Sequence, residues 1–382
     1  MKRFIFSAIV LMAAATACTE SGLIDTPSMY GSAIVFDTYI GKTPVTKAET
    51  VSVDSLALSM DEDGGAHLYA FMCEMENTNP ANVDFSETFM DGNLICTNPT
   101  ASVKSWSYME FDEETNGWAS QDVYWPGAVD LAFAAYNLAA DACITNQTNT
   151  QFDFTVKDVV SEQVDLLVTP LTFISETPGD DTHVSLQFSH LLSRVGFKVV
   201  PTDLNTVNIN IYSVKLSGAF PKTGTVDLTS AIAEGANVET PRIAPNTSGE
   251  YASEYVLFSV DDASQPPFSI SANEFSKVDN AIVAKPVYDK RNDSNPNNRY
   301  MMIMPGDATS TTLEVVYNLS GETERHYARV ALNSDTNTFT SFEAGKAYEL
   351  VMRISNKAID FSAEIVDGGW DTSSGNTSVP EE

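Results

Sequence analysis

The sequence predicts an all-β protein built as two β-sandwiches in tandem, and three observations lead there. Almost every periodic stretch alternates apolar and polar residues with period two, the pattern of half-buried strands. Clusters of Pro, Gly, Asn and Asp separate those stretches, among them ETPGDD, PKTG, NDSNPNN and PGDATS. At 382 residues the chain is too long for one ordinary domain and suits two of roughly 150 to 200 residues each.

Taken in order, the first strand is AIVFDTYIGK, with Ile34, Phe36 and Ile40 on one face and Val35 and Tyr39 on the other. Strands are then expected in AHLYAFMCEM (66–75), VDLAFAAYN (129–137), QFDFTVKDV (151–159), QVDLLVTP (163–170) and HVSLQFSHLLSRVGFKVVP (183–201). The series continues with NINIYSVKLSG (208–218), YVLFSV (255–260), NRYMMIMPG (298–306), TTLEVVYNL (311–319), HYARVAL (326–332) and AYELVMRIS (347–355). One short helical patch is expected at VDLTSAIAEGAN (226–237), bounded by Gly235. The polar run ETPGDDTH (176–183), with Pro178 and Gly179, divides the chain nearly in half, which gives sandwiches over 48–180 and 181–382.

The N-terminus reads MKRFIFSAIVLMAAATAC: two cations, an apolar run from Phe4 to Ala15, then small residues ending on Cys18. This is the pattern of a secretory signal over residues 1–17. The apolar run is too short to span a bilayer. Ala15-Thr16-Ala17-Cys18 resembles a bacterial lipobox, with Ala15 where that pattern favours Leu. Either Cys18 is lipidated, and two or more acyl chains anchor the chain stably, or an ordinary export cleavage site lies beside a cysteine. Of the remaining cysteines, Cys73, Cys96 and Cys143, not all can pair within the chain, so buried free thiols are expected, and their spacing offers no zinc site.

The formal charge of −31, from 21 Lys and Arg against 52 Asp and Glu, would repel a polyanion and argues against nucleic acid as a partner. Four histidines, at 67, 183, 190 and 326, form no metal-binding spacing, and no nucleophile elbow, P-loop or dinucleotide-binding glycine pattern is present. His190 reads as structural. The loop DEDGG (61–65) begins like a calcium loop at Asp61, Asp63 and Gly64, but its twelfth position is Met72 and not Glu. Paired carboxylates mean little in a chain with so many acids. No enzyme activity, cofactor or metal is therefore expected. Trp118, Tyr124 and Trp125 could stack on a sugar, whereas the Pro126-Gly127 turn would let Trp125 fold over a sandwich end instead.

Several features now stand in order: Cys18, a basic-Ala junction after a short strand, the block DVYWPGAVDLAFAAYN, QVDLLVTP followed by VSLQFSHLLSRVGFKV, and FEAGKAYELVMRI before a last strand and GGW. This ordered set resembles the fimbrillin (Mfa-like, FimA-like) family of type V pilus proteins of Bacteroidetes, over nearly the whole chain. The resemblance implies transthyretin-like sandwiches and export to the outer membrane as a lipoprotein through Cys18. It implies a trypsin-like protease that removes a leader, here 18–47, together with the first strand. Polymerisation with other pilin subunits by donor-strand exchange then supports adhesion at the cell surface as a fimbrium.

The stretch GKTPVTKAET (41–50) supplies the cut between Lys47 and Ala48, where the best-known members have Arg. Cleavage there would remove the first strand, with Ile34, Phe36 and Ile40, and a net charge of +1 from a chain of −31, leaving −32. Within SNKAIDFSAEIVDGGW (355–370), Ile359, Phe361, Ala363 and Ile365 alternate, as a donor strand for another subunit or as the last strand of their own domain. Stalk, tip and anchor roles all fit. The alternative is a surface lipoprotein that binds glycans and never polymerises.

Overall fold

The computed structural model describes residues 33–40, 65–73, 80–96, 106–126, 129–174, 183–201, 208–229, 243–260, 265–278, 281–288, 300–334, 337–354, 359–365 and 378–379. The chain is all-β, and among the described residues the helical elements are single short 3-10 segments such as Leu138–Cys143.

The principal strands run in chain order as β1 (Val35–Ile40), β2 (Gly65–Cys73), β3 (Met90–Cys96), β4 (Trp106–Asp112), β5 (Gly117–Ser120) and β6 (Asp130–Asn137). Next come β7 (Gln151–Thr155), β8 (Leu167–Val168), β9 (Thr172–Ile174), β10 (His183–His190), β11 (Ser193–Pro201), β12 (Ile209–Pro221), β13 (Thr223–Asp227) and β14 (Tyr251–Ser259). The series ends with β15 (Tyr300–Ile303), β16 (Thr312–Leu319), β17 (His326–Ala331), β18 (Ala347–Ile354) and β19 (Ile359–Ile365).

The N-terminal sheet has nine strands in the order β1-β10-β8-β6-β2-β3-β4-β5, with β9 also on β6. Its central strand β6 is buried at every position. Leu131, Phe133 and Ala135 point into one apolar cluster, and Ala132, Ala134 and Tyr136 into another. A strand buried on both faces reads as a near-continuous apolar run, as DLAFAAYN does.

Two five-stranded sheets follow. In one, β11 lies between β18, parallel, and β15, antiparallel, and β19 lies on the edge beside β18. The other runs β14-β12-β16-β17. A four-stranded sheet joins β7 to β13, strands from opposite halves of the sequence.

Sheet membership does not change at 180/181. Strand β10, beyond that point, belongs to the N-terminal sheet, and the change falls at Leu191-Leu192 inside the run that reads as one strand. There the Leu191 amide donates to the Leu166 carbonyl at 3.0 Å, while the Leu192 carbonyl accepts from Gly345 at 3.0 Å. Both leucines are buried, so the apolar pattern continues although the ladder partner changes. One buried cluster then extends through both halves, from Tyr69 and Phe71 to Leu350 and Ile354.

Two expected elements differ. The strand expected over 163–170 shrinks to Leu167–Val168, because side chains replace its ladder. Asn137 accepts from the Leu167 amide at 2.9 Å and donates to the Asp165 carbonyl at 3.0 Å, and the Thr169 hydroxyl accepts from the Ala135 amide at 2.7 Å. Val226 and Asp227, expected to open a helix, instead end β13, where buried Val226 pairs with Phe152. The rest of that patch beyond Thr229 lies outside the described residues.

Cys73, Cys96 and Cys143 are free and buried. Burial, then the nearby Asp130 carboxylate, pushes the Cys73 thiol up to about 11, so it stays protonated at neutral pH.

Candidate functional site: the seat of the first strand

Strand β1 follows its sequence pattern. Ile34, Phe36 and Thr38 are buried, and Val35 between them is 40% exposed. Its backbone pairs in parallel with β10, from Val35 opposite His183 to Ile40 opposite Phe188. On its other side the Ile34 amide donates to the Val123 carbonyl at 2.9 Å, and Ala33 bridges Tyr124. β1 therefore closes the N-terminal sheet on itself, from β10 round to the segment that follows β5.

The closed interior is apolar. Phe36 sets its ring edge-on to Phe133, with centroids 5.9 Å apart and planes at 81°. Trp125 meets the same Phe133 ring at 6.3 Å and 87°. Such edge-to-face pairs contribute about 0.5–1.5 kcal/mol each beyond the area they bury. Val184, Leu186 and Phe188 of β10 complete the wall beneath β1.

Two polar atoms interrupt this surface. The Trp125 indole N–H and the Thr38 hydroxyl are buried with no hydrogen-bond partner. Tyr108 is better placed: its hydroxyl accepts from the Asp91 amide at 3.0 Å and donates to Glu110 at 3.2 Å.

Gly92 makes the close approach of β3 and β4 possible. A Cβ there would stand 2.4 Å from the Met109 carbonyl oxygen and 2.9 Å from the Tyr108 hydroxyl oxygen. Gly92→Ala is expected to lower stability by about 1–3 kcal/mol, the usual cost of overpacking, as measured by denaturant unfolding of the full chain.

The other residues singled out by sequence distribute as follows. Ile40 ends β1 in backbone register with Phe188. Cys18, Lys47, Ala48 and the Asp61-Asp63 loop lie outside the described residues. Ile359, Phe361, Ala363 and Ile365 alternate along β19, in register with Ile354, Met352, Leu350 and Tyr348 of β18.

Of the three aromatics weighed for sugar stacking, Trp125 is buried in the closed interior, while Trp118 and Tyr124 remain exposed. Trp118 meets Phe111 edge-on across the β4–β5 pair at 5.6 Å. His190 is structural, its Nδ1 lying 2.6 Å from Asp165 at the end of β10. Among the described residues, no group of three or more His, Cys, Asp or Glu is placed to hold a metal.

Sequence reasoning missed the closure of β1 against Val123 and Tyr124 and the inward position of Thr38. Period two puts Thr38 on the face of Ile34, Phe36 and Ile40, but nothing local shows that its hydroxyl finds no partner there.

An all-β chain whose first strand seals an apolar interior, with one continuous ladder and a single bridge, is a sandwich protein closed by its first strand. The sequence profile of the fimbrillin-like family matches residues 82–367, and the chain belongs to that family. Membership in this fimbrillin-like family makes it a pilin-like surface protein.

No curated protein matches the chain. Among solved structures, it is similar to a proposed cell adhesion protein of Bacteroides ovatus, with 15% identity, 88% of this chain and 97% of that chain covered, and a TM-score of 0.49. A proposed cell adhesion protein of Bacteroides uniformis matches with 15% identity, 79% and 91% coverage and a TM-score of 0.47. A fimbrial assembly protein of Parabacteroides distasonis matches with 12% identity, 88% and 96% coverage and a TM-score of 0.37.

Proposed function

We propose that the chain is the precursor of a polymerising type V pilus subunit. It is exported with its signal 1–17, lipidated at Cys18 and held at the outer membrane. A trypsin-like protease cuts between Lys47 and Ala48, the leader departs with β1, and a strand from another subunit fills the vacated seat by donor-strand exchange. The two transthyretin-like bodies divide near Leu191-Leu192, where the chain changes sheet.

The observation that supports this reading is the seat itself. β1 is held by one parallel ladder and one bridge, and its departure would leave the β10 backbone unpaired beside an open apolar interior. Such an edge associates with any strand that fits it. Reburying each large side chain there returns roughly 1.5–3 kcal/mol.

The test is N-terminal sequencing of protein sheared from the cell surface. A new terminus at Ala48, with β1 absent, is the expected result. Intact chains beginning at Cys18, with no detergent-stable multimers, would overturn the polymerising role.

A second reading, a glycan-binding surface lipoprotein that never polymerises, is favoured by the exposed Phe111-Trp118 pair, at 48% and 46% exposure. It requires that Trp118→Ala abolish retention on immobilised glycans.

A further inference from the structure

The two faces of the N-terminal sheet are covered differently. Leu68, Leu94 and Tyr108 belong to the interior beneath β1. Their chain neighbours face the other way, and the ladder registers set five residues in one row across β6, β2, β3, β4 and β5: Tyr136, His67, Asn93, Met109 and Ser120. One step along the strands, period two returns Asp91, Phe111 and Trp118 to this same face. The core covers the row at Tyr136, which is buried, and leaves it open at Ser120, which is exposed.

The open end is aromatic on one side and polar on the other. Phe111 and Trp118 meet edge-on with planes at 72°, so each ring holds the orientation of the other. On β3 the polar groups are fixed from behind by His67, whose side chain is 15% exposed. Its Nδ1 lies 3.1 Å from the Asn93 carboxamide oxygen, and its Nε2 lies 3.1 Å from one Asp91 carboxylate oxygen. The imidazole is itself held, stacked on Tyr136 at 5.3 Å and edge-on to Tyr69 at 4.6 Å. Gln147 ties the two tyrosines together by donating to their hydroxyls at 2.9 and 2.7 Å. The second Asp91 oxygen and the Asn93 amide nitrogen have no partner among the described residues.

We infer that this face binds a neutral saccharide chain, with Trp118 and Phe111 against the apolar face of one sugar ring and Asp91 and Asn93 on adjacent hydroxyls of the next. A sugar ring offers a flat C–H face and a rim of hydroxyls, so its site needs an aromatic surface beside fixed donors and acceptors. A carboxylate accepts charge-assisted bonds from hydroxyls, and a carboxamide both donates and accepts. β3 and β5 lie two strand spacings apart, about 10 Å, the span of two linked sugar rings. Residues 106–120 include Glu110, Asp112, Glu113 and Glu114 and no Lys or Arg, so a uronic or sulfated chain would be repelled.

This inference rests on the glycan binding of the second reading above, and it holds whether or not the chain polymerises, because the seat of β1 opens on the opposite face of the sheet. In a filament every subunit would carry one such site, and the copies would bind a long polysaccharide with avidity.

The experiment is affinity electrophoresis of the full-length protein through gels containing a soluble β-glucan, an α-mannan or a galactan, with polygalacturonate as the anionic comparison. Retardation by at least one neutral polysaccharide, and none by polygalacturonate, is the expected result. Trp118→Ala and Asp91→Ala are each expected to weaken that retardation about tenfold. Tyr327→Ala, which removes an exposed ring from β17, should leave it unchanged. Asp91 and Trp118 both lie at the surface, so the two variants should melt close to the unaltered protein.

Retardation that persists in both variants would overturn this site while leaving glycan binding standing. A loss in Trp118→Ala with none in Asp91→Ala would overturn the pairing of aromatic and polar groups. Stronger retardation by polygalacturonate would overturn the neutral class of ligand. No retardation by any of the polysaccharides would overturn the inference and the glycan-binding reading together.

Discussion

Phe36→Asp is expected to unseat β1 from the full-length precursor. The substitution removes a ring that is 5% exposed and packed edge-on to Phe133. Truncating a buried Phe to Ala already costs about 3–5 kcal/mol, and a carboxylate in an apolar interior adds a desolvation penalty. Two responses are open to the chain: protonate the carboxylate in place, or withdraw the strand into water. β1 has one ladder and one bridge to lose, so withdrawal costs less than loss of the whole sheet. The precursor should bind a hydrophobic dye, expose residues 33–40 to proteolysis and melt at a lower temperature. Unchanged melting and dye binding would show that β1 is not an integral part of the sheet.

Phe133→Ala is expected to be the most damaging single truncation in the N-terminal sheet, at about 3–5 kcal/mol by denaturant unfolding. Phe133 is fully buried on β6, opposite Ala70 of β2 and Thr172 of β9, and it receives both Phe36 and Trp125. Unlike the effect at Phe36, its loss cannot be relieved by releasing β1, because β6 is the central strand of the sheet. A double-mutant cycle between Phe36→Ala and Phe133→Ala should return a coupling of about 0.5–1.5 kcal/mol. A coupling near zero would mean that the two rings do not meet in solution.

The all-β class was legible because alternation is a local property that survives any tertiary arrangement. Ile34 and Phe36 were legible for the same reason, and both line the closed interior. The β4–β5 pair escaped notice although its turn carries a signal. Asn116 adopts φ of 51° before Gly117, and Asp112 accepts from the Glu114 amide at 2.9 Å. Those turn residues announce a hairpin, but the flanking strands, with Glu110 and Ser107 among their aromatics, break the apolar alternation.

The change of sheet at Leu191-Leu192 had no local mark, because both residues are apolar and buried whichever strand pairs beside them. The parallel partnership of β1 with β10 is likewise set by topology, since it joins segments far apart in sequence. Thr38 shows how a polar interruption of the core hides: threonine is a good strand former, and only the surrounding interior reveals that its hydroxyl lacks a partner.

The crossing at Leu191-Leu192 also has a mechanical side. Strand β10, which forms the wall of the seat, continues through those two residues into β11, and β11 pairs in parallel with β18, the neighbour of β19. In a filament built by strand exchange, tension arriving through the seated strand would enter β10 and pass along the covalent backbone into β11. From there it would leave through long ladders pulled along their length, where many hydrogen bonds share the force. The subunit would then bear traction along one continuous line of strands, and the short strands and turns beside that line would remain slack.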